Sequence, residues 1–154
     1  MIKFFKNKNK NKNDMDSSLI KITALLIHAA KIDENYTDKE EEIIKKTLNE
    51  LGVEDKNISK TIKEAKIIEE SSNQILDFTR EVKSSPEQDK IKIVEALWSI
   101  IYSNKEADIY ESSLMRRLAG LLYIDNKTMG DIKEKIKQNS EWHILLTTNV
   151  LNAN

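Results

Sequence analysis

The chain has 154 residues, of which 39% are hydrophobic and 33% charged, with a formal net charge of −1 and no cysteine. This length suits a single core of the common size, about 100 to 150 residues, and the lack of cysteine excludes a disulfide framework, thiolate metal ligands and a cysteine nucleophile. Three glycines and one proline are too few for the turns of a sheet protein, so an all-α fold is expected.

Residues 1–13 carry Lys3, Lys6, Lys8, Lys10 and Lys12 and no acid, which leaves about minus six on the remainder. The Lys/Asn alternation from Lys6 to Asn13 buries too little apolar area to offset chain entropy, so residues 1–15 are expected to form a disordered basic leader. Such an arm could touch an anionic membrane or nucleic acid, with Ile2, Phe4 and Phe5 as an apolar foothold. The plainer reading is a solvated leader. No stretch approaches the roughly 20 apolar residues of a transmembrane helix, and the leader lacks the apolar run of a signal peptide. A cytoplasmic location is therefore expected.

The first helix is predicted from Asp16 or Ser17, with Leu19, Ile22, Leu26 and Ala29 or Ala30 turning one face toward a core. After a loop at Asp33 to Tyr36, Thr37 followed by Glu40 forms a capping-box pattern opening a second helix, stopped by Gly52. A third helix from Asp55 carries Ile58, Ile62 and Ala65. A fourth, with Ile75, Phe78 and Val82, runs to Lys83, their boundary lying near Ser71 to Asn73. Ser85, Pro86 and Gln88 predict a fifth start, with a serine cap and proline at the first helical position, continuing to Tyr102. Asp108 and Glu111 cap a sixth helix containing Leu114, Leu118, Leu121 and Leu122. A seventh spans about Asn126 to Gln138. The domain is thus read as residues 16–140, a compact bundle of about seven mostly antiparallel helices, followed by a tail or short helix at 141–154.

Sliding the chain by 71 residues places Ile22 on Ile93, Leu26 on Leu97, Asp33 on Asn104, Thr37 on Asp108, Glu40 on Glu111 and Leu51 on Leu122. Core positions, caps and the third-position glutamate recur together, so an internal pseudo-two-fold repeat is expected. Acidic residues crowd the first loop, but the calcium-loop template fails when started at Asp33. Its sixth position is Asp38 rather than glycine and its twelfth is Ile44 rather than glutamate. A looser candidate remains, in which Asp33 and Glu40 with Asn104, Asp108 and Glu111 converge on one divalent cation. The plainer explanation is that acids in a first helical turn satisfy free amides and the helix dipole.

The segments LLIHAAKIDENYTDKEEEIIKKTL and ALWSIIYSNKEADIYESSLMRRLAGLL carry a resemblance to the TerB-like helical proteins, a family named for a tellurite-resistance component and related to the N-terminal domain of the co-chaperone DjlA. The likeness spans roughly residues 17 to 139. It implies a helical bundle, a stress-response association, and acidic positions at Asp33, Glu40 and Glu111. Asn104 stands where the family has a second aspartate, and Glu34 and Lys105 stand where it has glycines.

Histidine occurs only at 28 and 143, with no His-Glu-x-x-His spacing and no glycine loop for phosphates, so no enzyme is predicted. His28 could pair with Asp33 or simply meet its helix end. Trp98 is expected in the core and Trp142 at the surface, with Arg116 and Arg117 solvated or paired. The leading expectation is a non-enzymatic interaction or scaffold module whose acidic inter-helix loops meet a protein partner. The alternatives are a divalent-cation module and an accessory protein tethered to membrane or nucleic acid by the basic arm.

Overall fold

The computed structural model describes residues 12–32, 36–72, 75–103 and 109–152, with side chains over 17–32, 36–72, 75–103 and 113–139. Among the described residues there are seven helices and no strand: α1 Lys12–Ala30, α2 Asp38–Glu50, α3 Asp55–Ser71, α4 Leu76–Lys83, α5 Glu87–Tyr102, α6 Ile109–Leu121 and α7 Asn126–Asn152.

Two helices form the centre. In α1 the consecutive residues Ala24, Leu25, Leu26 and Ile27 are each at most 1% exposed. An α-helix turns about 100° per residue, so four buried neighbours surround its axis. α1 is therefore enclosed rather than one-faced as its stripe suggested, because α2, α3, α4 and α5 all pack against it. α5 buries most of its circumference, with Ile93, Val94, Ala96, Leu97, Trp98, Ile100 and Ile101 all buried and a half-buried side at Lys92, Glu95, Ser99 and Tyr102. Its neighbours are α1, α2, α4 and α7. Trp98 lies in the core as expected, its indole N–H donating to Met129 Sδ at 3.3 Å. Leu25 or Leu97 truncated to alanine at such sites costs about 2 to 5 kcal/mol.

α1, α2 and α3 alternate in direction. Glu41 near the start of α2 meets Lys66 near the end of α3, and Asn49 bonds Asp55 across the connecting turn. Consequently the ends of α1 and α3 come together, where Lys31 reaches Glu69 at 2.8 Å. α5 and α7 run antiparallel, joined by Trp98 with Met129 and by Lys135 with Glu95.

The predicted cap of α2 is present, with Thr37 at the N-cap and Glu40 closing a capping box. Its end is a Schellman motif. Gly52, at φ 98°, donates to Asn49 O, and Val53 donates to Leu48 O. The same pair of bonds closes α6, where Tyr123 donates to Gly120 O and Ile124 to Ala119 O. Tyr123 takes the left-handed position at φ 55° without being glycine, and Lys83 Nζ lies 4.1 Å from its ring centroid. The sequence offset of 71 residues also separates the starts of α2 and α6, their ends, and the starts of α3 and α7.

Three boundaries depart from the sequence reading. α1 begins at Lys12, ahead of Asp16, since no proline or glycine breaks residues 12–16; the rest of the leader lies outside the described residues. α5 begins at Glu87 with Pro86 itself at the N-cap. Ser85 does not cap α5, because its hydroxyl donates backward to Glu81 O at 2.9 Å and belongs to the end of α4. α7 continues past Gln138 to Asn152 as one helix, in a stretch with no proline or glycine after Gly130.

Gly52→Ala is expected to lower stability by about 1 kcal/mol, and Tyr123→Gly to leave it unchanged or raise it by up to about 1 kcal/mol. Urea midpoints check both, and a marked loss in the Tyr123→Gly variant would show that ring contacts outweigh backbone strain.

Candidate functional site

Of the five residues proposed for an ion site, the structure describes the side chain of Glu40. Asp33, Asn104 and Asp108 lie outside the described residues, and Glu111 lies in α6 with its side chain outside the described set. Glu40 is fully buried. Its Oε2 accepts the Thr37 N–H at 2.8 Å, so this carboxylate holds the start of α2 together. Among the described residues no three His, Cys, Asp or Glu side chains form a metal-binding group.

Other charged groups of this region also serve the packing. Glu41 accepts from Lys66 at 3.3 Å and from the Tyr36 hydroxyl at 3.5 Å, and Lys66 lies over the Tyr36 ring. Burial, and then the Glu41 charge and hydrogen bond, push the Tyr36 hydroxyl well above its usual range. His28 pairs with Glu69 through Nδ1 at 3.4 Å. That partner, 41 residues along the chain, was not visible in local spacing.

Asp89 occupies in α5 the third helical position that Glu40 occupies in α2. Glu40 bonds back to a cap N–H, whereas the cap residue of α5 is Pro86, which has none. Asp89 is 3% exposed, and its Oδ2 has no hydrogen-bond partner among the described residues. Burial raises its carboxyl above the ordinary range, with Lys92 opposing in part. Next to it Lys90 Nζ caps the end of α6 by donating to Leu122 O at 3.3 Å. At the start of α7 the exposed Asp125 accepts the Thr128 N–H at 2.7 Å and its hydroxyl at 3.0 Å, and these bonds lower its carboxyl below the usual range.

A groove of about 680 Å³ lies between α2, α5 and α7. α2 contributes Lys39, Ile43, Lys46, Thr47 and Glu50. α5 faces it with Lys92, Glu95, Ala96, Ser99 and Tyr102, and α7 closes one side with Lys135, Ile136 and Asn139. Lys39 Nζ donates to Ser103 O at 3.4 Å, bringing the start of α2 beside the end of α5. Sequence reasoning missed this surface because it read α2 through its cap and stop signals and not through its faces. The signal was a second face, Lys39, Ile43, Lys46 and Glu50, at spacings of four, three and four residues.

These features define an all-helical domain built around two central helices, with a groove on its surface. The chain belongs to the TerB family: the family model described as Tellurite resistance protein TerB matches residues 19–134. No curated protein and no solved structure matches the chain. The match bears out the resemblance read from the two alanine-containing segments. No helix among the described residues is long and apolar enough to cross a membrane.

Glu40→Ala is expected to cost about 1 to 2 kcal/mol through loss of the capping box, while Glu40→Gln keeps most of it. Chemical denaturation distinguishes them, and equal losses would remove the capping role. For Asp89 the folded carboxyl titrates above its unfolded value, so the ionised form opposes folding at neutral pH. Asp89→Asn should therefore add about 1 kcal/mol near pH 7. The gain should vanish as pH falls below the ordinary aspartate value of 3.8. Thermal melts across that range test it, and a gain that persists in acid would contradict the burial argument.

Proposed function

We propose that this chain is a non-enzymatic interaction module of the TerB type that docks a protein partner in the groove between α2, α5 and α7. The observation that carries the reading is the groove itself, with apolar side chains on its floor and charged ones along its rim. Docking sites commonly combine an apolar centre with a polar margin. The acidic loop face favoured by the sequence has weaker support, because Glu40 is engaged in capping and Glu41 is held by Lys66 and Tyr36. A stress-response association rests on the family's name, tellurite resistance.

A photocrosslinking residue placed at Ile43 or Ser99 of the full chain in its own cells is expected to trap a defined protein. The same residue at exposed Lys127, away from the groove, should not. Ser99→Trp, which fills the groove, should abolish crosslinking from Ile43. Identical products from Lys127 and the groove positions would defeat the docking reading.

A further inference from the structure

The shape and charge of the groove narrow the partner, if the docking reading above is taken as the basis. On α2 its wall extends from Lys39 to Glu50, and on α5 from Lys92 to Ser103. Each stretch covers three helical turns, so at about 1.5 Å rise per residue the groove is about 16 Å long. A trough of that length between antiparallel helices suits a linear segment better than a compact small molecule. Its floor is set by Ile43, Ala96 and Ile136, which gives anchoring places for apolar side chains.

The rim is basic on a chain that is net negative. The lining includes Lys39, Lys46, Lys92 and Lys135 against Glu50 and Glu95. Glu95 already holds Lys135 at 3.2 Å. Setting that pair aside leaves three lysines against the single carboxylate of Glu50. The chain's own leader, with five lysines in residues 1–13, carries the same sign as the rim and is a poor occupant. The apolar floor also disfavours a nucleic-acid backbone, which presents phosphate along its whole length.

We infer that the groove between α2, α5 and α7 receives an acidic amphipathic helix of a partner protein, whose apolar side chains lie on Ile43, Ala96 and Ile136 and whose carboxylates face Lys39, Lys46 and Lys92. Helix-in-groove recognition places apolar anchors on one helical face. The flanking lysines select sign and orientation and speed the encounter. Lys46 is exposed and Lys92 half-buried, so both can be altered without removing core packing.

The test is an amide-resolved magnetic-resonance titration of the full chain with three synthetic helical peptides. The first has leucines on one face and glutamates on the other. The second has lysines in place of the glutamates, and the third keeps the glutamates but replaces the leucines with glutamine. The first peptide is expected to give saturable shifts at Ile43, Ser99 and Ile136, weakened by added salt. A Lys46→Glu, Lys92→Glu double variant should lose at least about tenfold in affinity for it, and Lys46→Arg, Lys92→Arg should retain binding. The second and third peptides should bind far more weakly. Shifts confined to other surfaces, or affinity unchanged by charge reversal, would overturn the inference. So would tighter binding of the lysine peptide, or equal groove binding of a single-stranded oligonucleotide. A groove that crosslinks a cellular partner yet ignores the acidic peptide leaves the docking reading standing and removes this one. Absence of groove-specific crosslinks removes the docking reading itself.

Discussion

Two helices whose middle turns are buried over most or all of their circumference dictate this architecture. α1 buries residues around its whole circumference, and α5 around all but the side of Lys92, Glu95 and Ser99, so neither can lie on the surface with one face in solvent. Both must be wrapped, and the remaining helices are arranged to do so. α2 packs on α1 and on α5, α3 and α4 complete the cover of α1, and α7 lies along α5. The surrounding helices can be more polar because each supplies only one inward stripe. α3, for example, buries Ile58, Ile62 and Ala65 while most of its other positions are charged or polar.

Where the wrapping helices begin and end is set by local chemistry that does not depend on the core. α2 is bounded by the Thr37–Glu40 cap and by Gly52, and α6 ends in the same bonding pattern with Tyr123 in place of glycine. The substitution shows which demand is stronger: the chain must turn sharply enough to bring Ile124 back to Ala119, and it accepts a left-handed tyrosine to do so. α5 shows the opposite compromise. Pro86 fixes the entry of the helix but removes the N–H that a third-position acid would use, leaving Asp89 buried with one oxygen unpartnered among the described residues.

Most of the helices were legible because their signals are local. Thr37 with Glu40, Gly52 after Leu51, and the stripes Ile58–Ile62–Ala65 and Leu114–Leu118 can each be read within a few residues. Enclosure of α1 was not, since a short apolar run such as Ala24 to Ile27 does not say how many neighbours will cover it. Ser85 misled for a related reason: a serine before proline has the look of a cap, yet its hydroxyl found a nearer acceptor in the preceding helix. The candidate site was less legible still. Glu40 could be read as a ligand or a cap from sequence, and its bond to the Thr37 N–H is a capping bond. The groove joins residues more than forty positions apart, Lys39 with Tyr102 and Glu50 with Lys92, and only the packing of α2 across α5 creates it.

That origin has a thermodynamic side. One wall of the groove comes from an early helix and the others from two late ones, so no contiguous fragment shorter than the stretch from α2 to α7 contains it. Anything bound there is bound to the assembled fold alone, and its binding free energy adds to the folding free energy by mass action. A partner would act as a clamp between distant parts of the chain, slowing their separation. Conversely, a substitution deep beneath α1 would weaken association without touching the groove, simply by lowering the fraction of molecules in which the two walls face each other.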